Sequence, residues 1–157
     1  MHYNYLEIIM MKYLQRIGRS LMLPVAVLPA GALLMGIGYW IDPTGWGAGS
    51  PVANFFIKAG GALIDNLPLL FAMGVAYGMT KKQDGASIIA GVVAWLTITT
   101  LLNTESVANL TSMPVEEVSP AFGKIANAFT GILSGLIGAF AFDKFHNVQL
   151  PTAFAFF

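Results

Sequence analysis

The chain has 157 residues, of which 56% are hydrophobic and 10% charged, with no formal net charge and a mean hydropathy of +0.69. Soluble domains carry about 25% charged residues, so a chain this apolar reads as an integral membrane protein of the all-α class. The balanced charge gives no basic excess for nucleic acid, and the absence of cysteine removes disulfides, cysteine metal ligands and a cysteine nucleophile.

Residues 1–11, MHYNYLEIIMM, differ in character from the rest of the chain, and Met10 and Met11 are alternative starts. This segment is a candidate upstream extension. The start does not read as a cleaved signal peptide: the first apolar run has 21 residues and lacks a convincing A-x-A site before Asp42. Residues 12–21, KYLQRIGRSL, pattern as an amphipathic helix. At helical spacing Lys12, Arg16 and Arg19 fall within about 60° of one another, with Leu14, Ile17 and Leu21 opposite. Such a helix is expected to lie in the headgroup plane of an anionic cytoplasmic leaflet, or to form a solvated cap on the first span.

Residues 21–41 carry no charge and would reach about 31 Å as a helix, the thickness of the hydrocarbon core. Pro24 and Pro29 predict kinks, which membrane helices tolerate. Tyr39, Trp40 and Trp46 suit the far interface. Residues 42–54 are a turn-rich loop.

The second span is predicted over 55–79. Residues 67–79 alone would cover only about 20 Å, so the span includes Asp65 and puts it near mid-depth. An acid at that depth costs about 2.5–3.5 kcal/mol on insertion scales and is a functional hypothesis by default. The competing expectation is a structural break at Asp65, Asn66 and Pro68. Pro68 removes a backbone donor, and Asn66 can donate to a freed carbonyl.

Residues 80–85 form a polar loop, and 86–102 a third span. Residues 103–124 form a longer polar loop, in which TSMPVEEV reads as a helix start with Ser112 as N-cap. The fourth span is expected over 125–142. On it Ala128, Gly131, Gly135 and Gly138 share one face, and Gly74 and Gly78 repeat the pattern in the second span. Small residues at this spacing allow close helix packing, within the chain rather than across a dimer seam. A further apolar segment occupies 148–157.

With the N-terminus inside, Lys12, Arg16, Arg19, Lys81, Lys82 and Lys144 fall on the cytoplasmic side and only Lys58 and Lys124 outside. This bias predicts four spans with both ends cytoplasmic. There is no Gly-rich phosphate loop and no paired histidine. His146 reads as a solvated loop residue, and Glu116 and Glu117 as a solvated helix start. No catalytic residue, metal site or cofactor is expected.

Several stretches, in order, resemble one family. LQRIGRSLMLPVAVLPAGALLMGIG, AGGALIDNLPLLFAMGVAYG, MPVEEV and GILSGLIGAFAFDKFHNVQLPTAFAFF are similar to the membrane (IIC) domain of bacterial phosphoenolpyruvate-dependent sugar phosphotransferase permeases. The resemblance is to the glucose and N-acetylglucosamine branch, and it runs from about Met11 to Phe157. It implies a multi-pass protein of the bacterial cell membrane that imports and phosphorylates a sugar. Phosphate would pass from soluble carriers, through IIA and a cysteine of IIB, to sugar held in IIC. It also implies a homodimer, with the N-terminal helices as scaffold. The family's later Gly-Lys-Arg, His-containing and Gly-Ile-Thr-Glu-Pro motifs are not in this sequence. Residues 12–157 are therefore expected to be a truncated IIC domain, not transport-competent alone, with N-acetylglucosamine preferred to glucose. No catalytic or sugar-binding residue carries over, so the break reading of Asp65 and Asn66 is favoured over a sugar contact. The alternative is an independent four-helix membrane protein, a pore or an assembly adaptor.

Overall fold

The computed structural model describes residues 3–148. Over these the chain is helical, with α1 (Tyr3–Ser20), α2 (Met22–Ala26), α3 (Leu28–Ile41), α4 (Pro51–Asp65), α5 (Leu67–Met79), α6 (Gly85–Leu101), α7 (Thr104–Thr111) and α8 (Ala128–Phe145). Two short 3-10 turns lie at Val115–Glu117 and Pro120–Lys124. Of the segment expected at 148–157, all but Val148 lies outside the described residues.

Prolines set the first interruptions. Pro24 cannot donate to the Ser20 carbonyl, nor Pro29 to that of Val25. Between the two prolines the chain tightens, with the Val27 N–H donating to the Pro24 carbonyl at 3.2 Å. Despite these breaks, residues Asn4–Ile41 form one run long and apolar enough to cross a membrane. The basic helix expected over 12–21 is thus the C-terminal half of α1, which starts at Tyr3 and continues toward the first span.

Loop 42–50 folds on one side chain. The Asp42 carboxylate accepts from the N–H of Gly45 and of Gly49, each at 2.9 Å. Trp46 and Gly47 take positive φ of 52° and 86°, and the Tyr39 and Trp46 rings meet edge to face at 5.5 Å. Ser50 then caps α4 by accepting from the Ala53 N–H. The helix therefore begins at Pro51, earlier than the predicted start at residue 55.

The segment expected as a loop after the third span contains α7, bent 65° from α6 and capped by the Asn103 side chain, which accepts from the Ser106 N–H. Ser112 does not open a helix. It ends α7 with φ 54°, and the acids beyond it, Glu116 and Glu117, fall in a single 3-10 turn. Pro114 cannot supply an N–H to a helix running through it. The helix expected from residue 125 starts three residues late, at Ala128, because Asn127 caps it by accepting from the Thr130 N–H.

Two packing units result. α3 and α4 form an antiparallel hairpin in which Gly31 faces Gly60, and Gly38 faces Ala53 and Ile57. α5 sits among α1, α6 and α8. There Val75, Met79 and Ala139 are the buried core, with Ile17, Leu21, Ile132 and Leu136 packed around them. Gly131 meets Pro68 and Gly135 meets Val75, so α5 and α8 run parallel; Gly91 of α6 meets Ala72 and Ala76 and lies against Gly138. Among the described residues the α3–α4 hairpin touches the bundle only through α2 and α5, the elements adjoining it in the chain.

Polar side chains inside the bundle serve their own helices. Ser20, Thr80, Ser87 and Ser134 are buried and donate to the carbonyls of Arg16, Tyr77, Asp84 and Thr130. Large apolar side chains such as Leu33, Trp40, Phe55, Ile89, Val93 and Phe140 are exposed instead. A polar-satisfied interior under an apolar surface suits lipid surroundings.

Candidate functional site: a helix break and a basic end

Between α4 and α5 the axis turns by 45° at Asn66, whose φ of −96° and ψ of 11° are not helical. The hydrogen bonds explain how the turn holds. Pro68 has no N–H for the Ile64 carbonyl, and the Asn66 backbone N–H turns to that carbonyl instead. That leaves the Ala62 carbonyl, and the Asn66 side-chain amide donates to it at 2.9 Å. Asn66 thus replaces with its side chain the bond that its backbone gave up.

Asp65 is exposed and among the described residues makes no side-chain hydrogen bond. It lies near the middle of the bent pair Pro51–Met79, yet not near the middle of the helix bundle. Gly131, in the first turn of α8, rests on Pro68. The antiparallel α5–α6 register set by Gly91 and Ala72 brings Asn66 level with the last turn of α6. The acid therefore stands at the end of the three-helix bundle. The reason is length: α4 and α5 together run from Pro51 to Met79, about 43 Å as a continuous helix, and α5 alone matches the bundle.

The opposite end is basic. Arg16 donates from Nε to the Gly78 carbonyl at 3.0 Å and from Nη2 to the Thr80 carbonyl at 2.6 Å. A cation here satisfies the open carbonyls and the negative end of the α5 dipole. The Lys81 N–H donates to the Asp143 carboxylate at 3.0 and 3.3 Å, tying the α5–α6 loop to the end of α8. Lys144 Nζ stands 5.7 Å from the Phe140 ring centre and 5.6 Å from that of Phe145. Lys12, Arg16, Arg19, Lys81, Lys82 and Lys144 thus gather at one end of the bundle, whereas Lys58 lies along α4 and Lys124 near the start of α8.

The residues predicted for packing divide. Gly74 and Gly78 receive Pro24 and Ser20 of the first run, and Gly131, Gly135 and Gly138 receive α5 and α6. Ala128 is exposed in the first turn of α8. Sequence reasoning passed over Gly31, Gly38, Gly60 and Gly91, although Gly31 and Gly38 stand two helical turns apart on one face. It also passed over Asp42 and Asp143, whose partners are backbone N–H groups that leave no trace in side-chain spacing.

A model of the family described as phosphotransferase system, EIIC, matches residues 18–157. The chain is 36% identical to the PTS system N-acetylglucosamine-specific EIIC component of Streptomyces coelicolor, over 92% of this chain and 35% of that relative. It is also 36% identical to the PTS system glucose-specific EIICBA component of Staphylococcus saprophyticus, over 92% of this chain and 23% of that relative. The chain therefore spans about a third or less of the length of these relatives. Nearly all of the sequence, from the second half of the basic helix onward, falls within the match, and the chain belongs to the phosphotransferase system EIIC family.

Proposed function

We propose that the chain supplies the N-terminal membrane scaffold of a sugar permease that imports and phosphorylates N-acetylglucosamine or glucose. The similarity over almost the whole chain to the N-acetylglucosamine-specific relative carries this reading. The scaffold works as a homodimer in a bacterial cell membrane, with IIA and IIB phosphocarriers as partners. Four spans, made by α1–α3, α4–α5, α6 and α8, leave both chain ends on the cytoplasmic side. The basic end of the bundle supports that orientation, because cytoplasmic segments carry an excess of lysine and arginine.

Asp65 and Asn66 act as a structural break in this reading rather than as sugar contacts. The Asn66 amide is engaged by the Ala62 carbonyl, which supports a structural role. In this reading the polypeptide alone neither transports nor phosphorylates sugar, because it matches only 35% of the length of the N-acetylglucosamine-specific relative and carries no IIB-type cysteine of its own. Membrane vesicles holding this polypeptide and soluble phosphocarriers are expected to show no phosphoenolpyruvate-dependent uptake of labelled N-acetylglucosamine or glucose. Adding the remaining C-terminal portion of the Streptomyces coelicolor relative, with its IIB partner, is expected to restore uptake of one of them. Saturable uptake by the polypeptide alone, or failure of every complemented combination, would refute the proposal.

A further inference from the structure

Two hollows open side by side along α5. The first, about 410 Å³, lies at the basic end, where Lys12, Gln15, Arg19 and Gln83 line it. The second, about 540 Å³, is a groove lined by Pro24, Val27, Leu70, Met73 and Ile88 from α5, α6 and the first run. Leu23, Gly74 and Tyr77 line both, so the two form one cleft with a cationic head and an apolar tail. Tyr77 carries an apolar ring and a polar hydroxyl, the character suited to that boundary. Among the described residues no aspartate or glutamate lines either part.

The charges differ in what they already do. Arg16 borders the head, but its guanidinium is engaged by the Gly78 and Thr80 carbonyls. Lys12 and Arg19 are exposed and, among the described residues, donate to no such carbonyl. From Tyr77 to Leu70 the tail runs along α5 for roughly two turns, about 10 Å.

We propose that this cleft binds one anionic diacyl phospholipid, with its phosphate between Lys12 and Arg19 and an acyl chain along the groove. A free phosphate would use the head and leave the apolar groove empty. A zwitterionic lipid brings its own cation to a head already lined by Lys12, Arg16 and Arg19. An anionic phospholipid matches both halves, and its chain would brace the joint at Val27 against α5 and α6.

The test uses the whole 157-residue chain in neutral detergent, with retained lipid counted by native mass spectrometry. Phosphatidylglycerol is expected to be retained about tenfold or more over phosphatidylcholine, and K12Q/R19Q to weaken retention about 25-fold, or about fivefold per cation. Ile88→Trp, which fills the groove, is expected to weaken it at least about fivefold. K58Q/K124Q, remote from the cleft, is expected to leave retention unchanged. Equal retention of the two lipids, or wild-type retention by K12Q/R19Q, overturns the site. So does an equal loss in K58Q/K124Q, which reads as unspecific charge attraction. Release of the lipid by millimolar inorganic phosphate overturns it in favour of a soluble phosphoanion. Should K12Q/R19Q lose its helical circular dichroism, Ile88→Trp decides alone, with unchanged retention overturning the site.

Discussion

Replacing Gly138 with alanine probes how tightly the bundle is built. A Cβ there would stand 2.6 Å from both the Cα and the N of Gly91 and 2.8 Å from the Ala90 carbonyl carbon. Ordinary contact begins at 3.4 Å, so α8 would have to retreat from α6 by roughly 0.8 Å. The obstructing atoms are backbone and cannot rotate away. Gly91 is itself held from behind by the Ala72 carbonyl and Ala76. Overpacking of this kind costs about 1–3 kcal/mol, and a gap of that size forfeits a quarter to a half of each neighbouring contact along the seam. Against this stands the better helix propensity of alanine, about 0.8–1 kcal/mol. The difference of these two terms runs from about 0 to 2 kcal/mol, and because the obstructing atoms are backbone the expectation is a loss toward the upper end, about 2 kcal/mol. Gly36→Ala is the control, because nothing lies within 4 Å of a Cβ built there. It should be neutral or stabilising by up to about 1 kcal/mol. Unfolding by sodium dodecyl sulfate in mixed micelles, monitored by helical circular dichroism and by the emission of buried Trp95, gives both numbers. A Gly138→Ala protein as stable as the wild type would show that the seam yields, and the close-packing argument would fall.

Other substitutions act on single hydrogen bonds. Asn66→Ala leaves the Ala62 carbonyl without its side-chain donor and is expected to cost about 1 kcal/mol in the same unfolding assay; Asp65→Asn, at an exposed position, should change stability by less than about 0.5 kcal/mol. Asp42→Ala removes the acceptor shared by Gly45 and Gly49, so hydrogen exchange at those two amides should accelerate at least about tenfold while α8 amides keep their protection. Arg16→Gln loses the fork that caps α5, and proteolytic cleavage within α1 should become several-fold faster; an unchanged cleavage rate would mean that α1 is held by apolar contacts alone.

How far the sequence could be read depended on the kind of signal. Long uncharged runs made the membrane helices plain, since lipid leaves the backbone few choices. The break at Asn66 was foreseeable because Pro68 removes a specific donor and Asn66 supplies a specific replacement. The extent of α1 was hidden by composition: residues 3–11 look unlike the rest, yet nothing in them stops a helix. α7 was missed because Asn103 serves as cap in a stretch that reads as loop, and Ser112, read as the start of a helix, ends one with a left-handed conformation. Helix length alone does not say which half of a bent span packs with its neighbours. The register of Gly131 on Pro68, a contact far apart in sequence, decides it.

Where the hairpin joins the bundle has a mechanical meaning. The chain crosses between the two units at two points, Val27 and Asn66. The Gly31–Gly60 and Gly38–Ala53 contacts put those points opposite each other in the hairpin register. Two crossings at one level define an axle. α3 extends from it for 14 residues, about 21 Å, as a lever arm ending near Trp46. A rotation of about 10° at the axle carries that tip about 4 Å, taken up by the dihedrals of a few residues while the glycine seams on either side stay closed. Were the hairpin to swing, the close glycine contacts on either side would leave Val27 and Asn66 as the residues whose dihedrals take up the change.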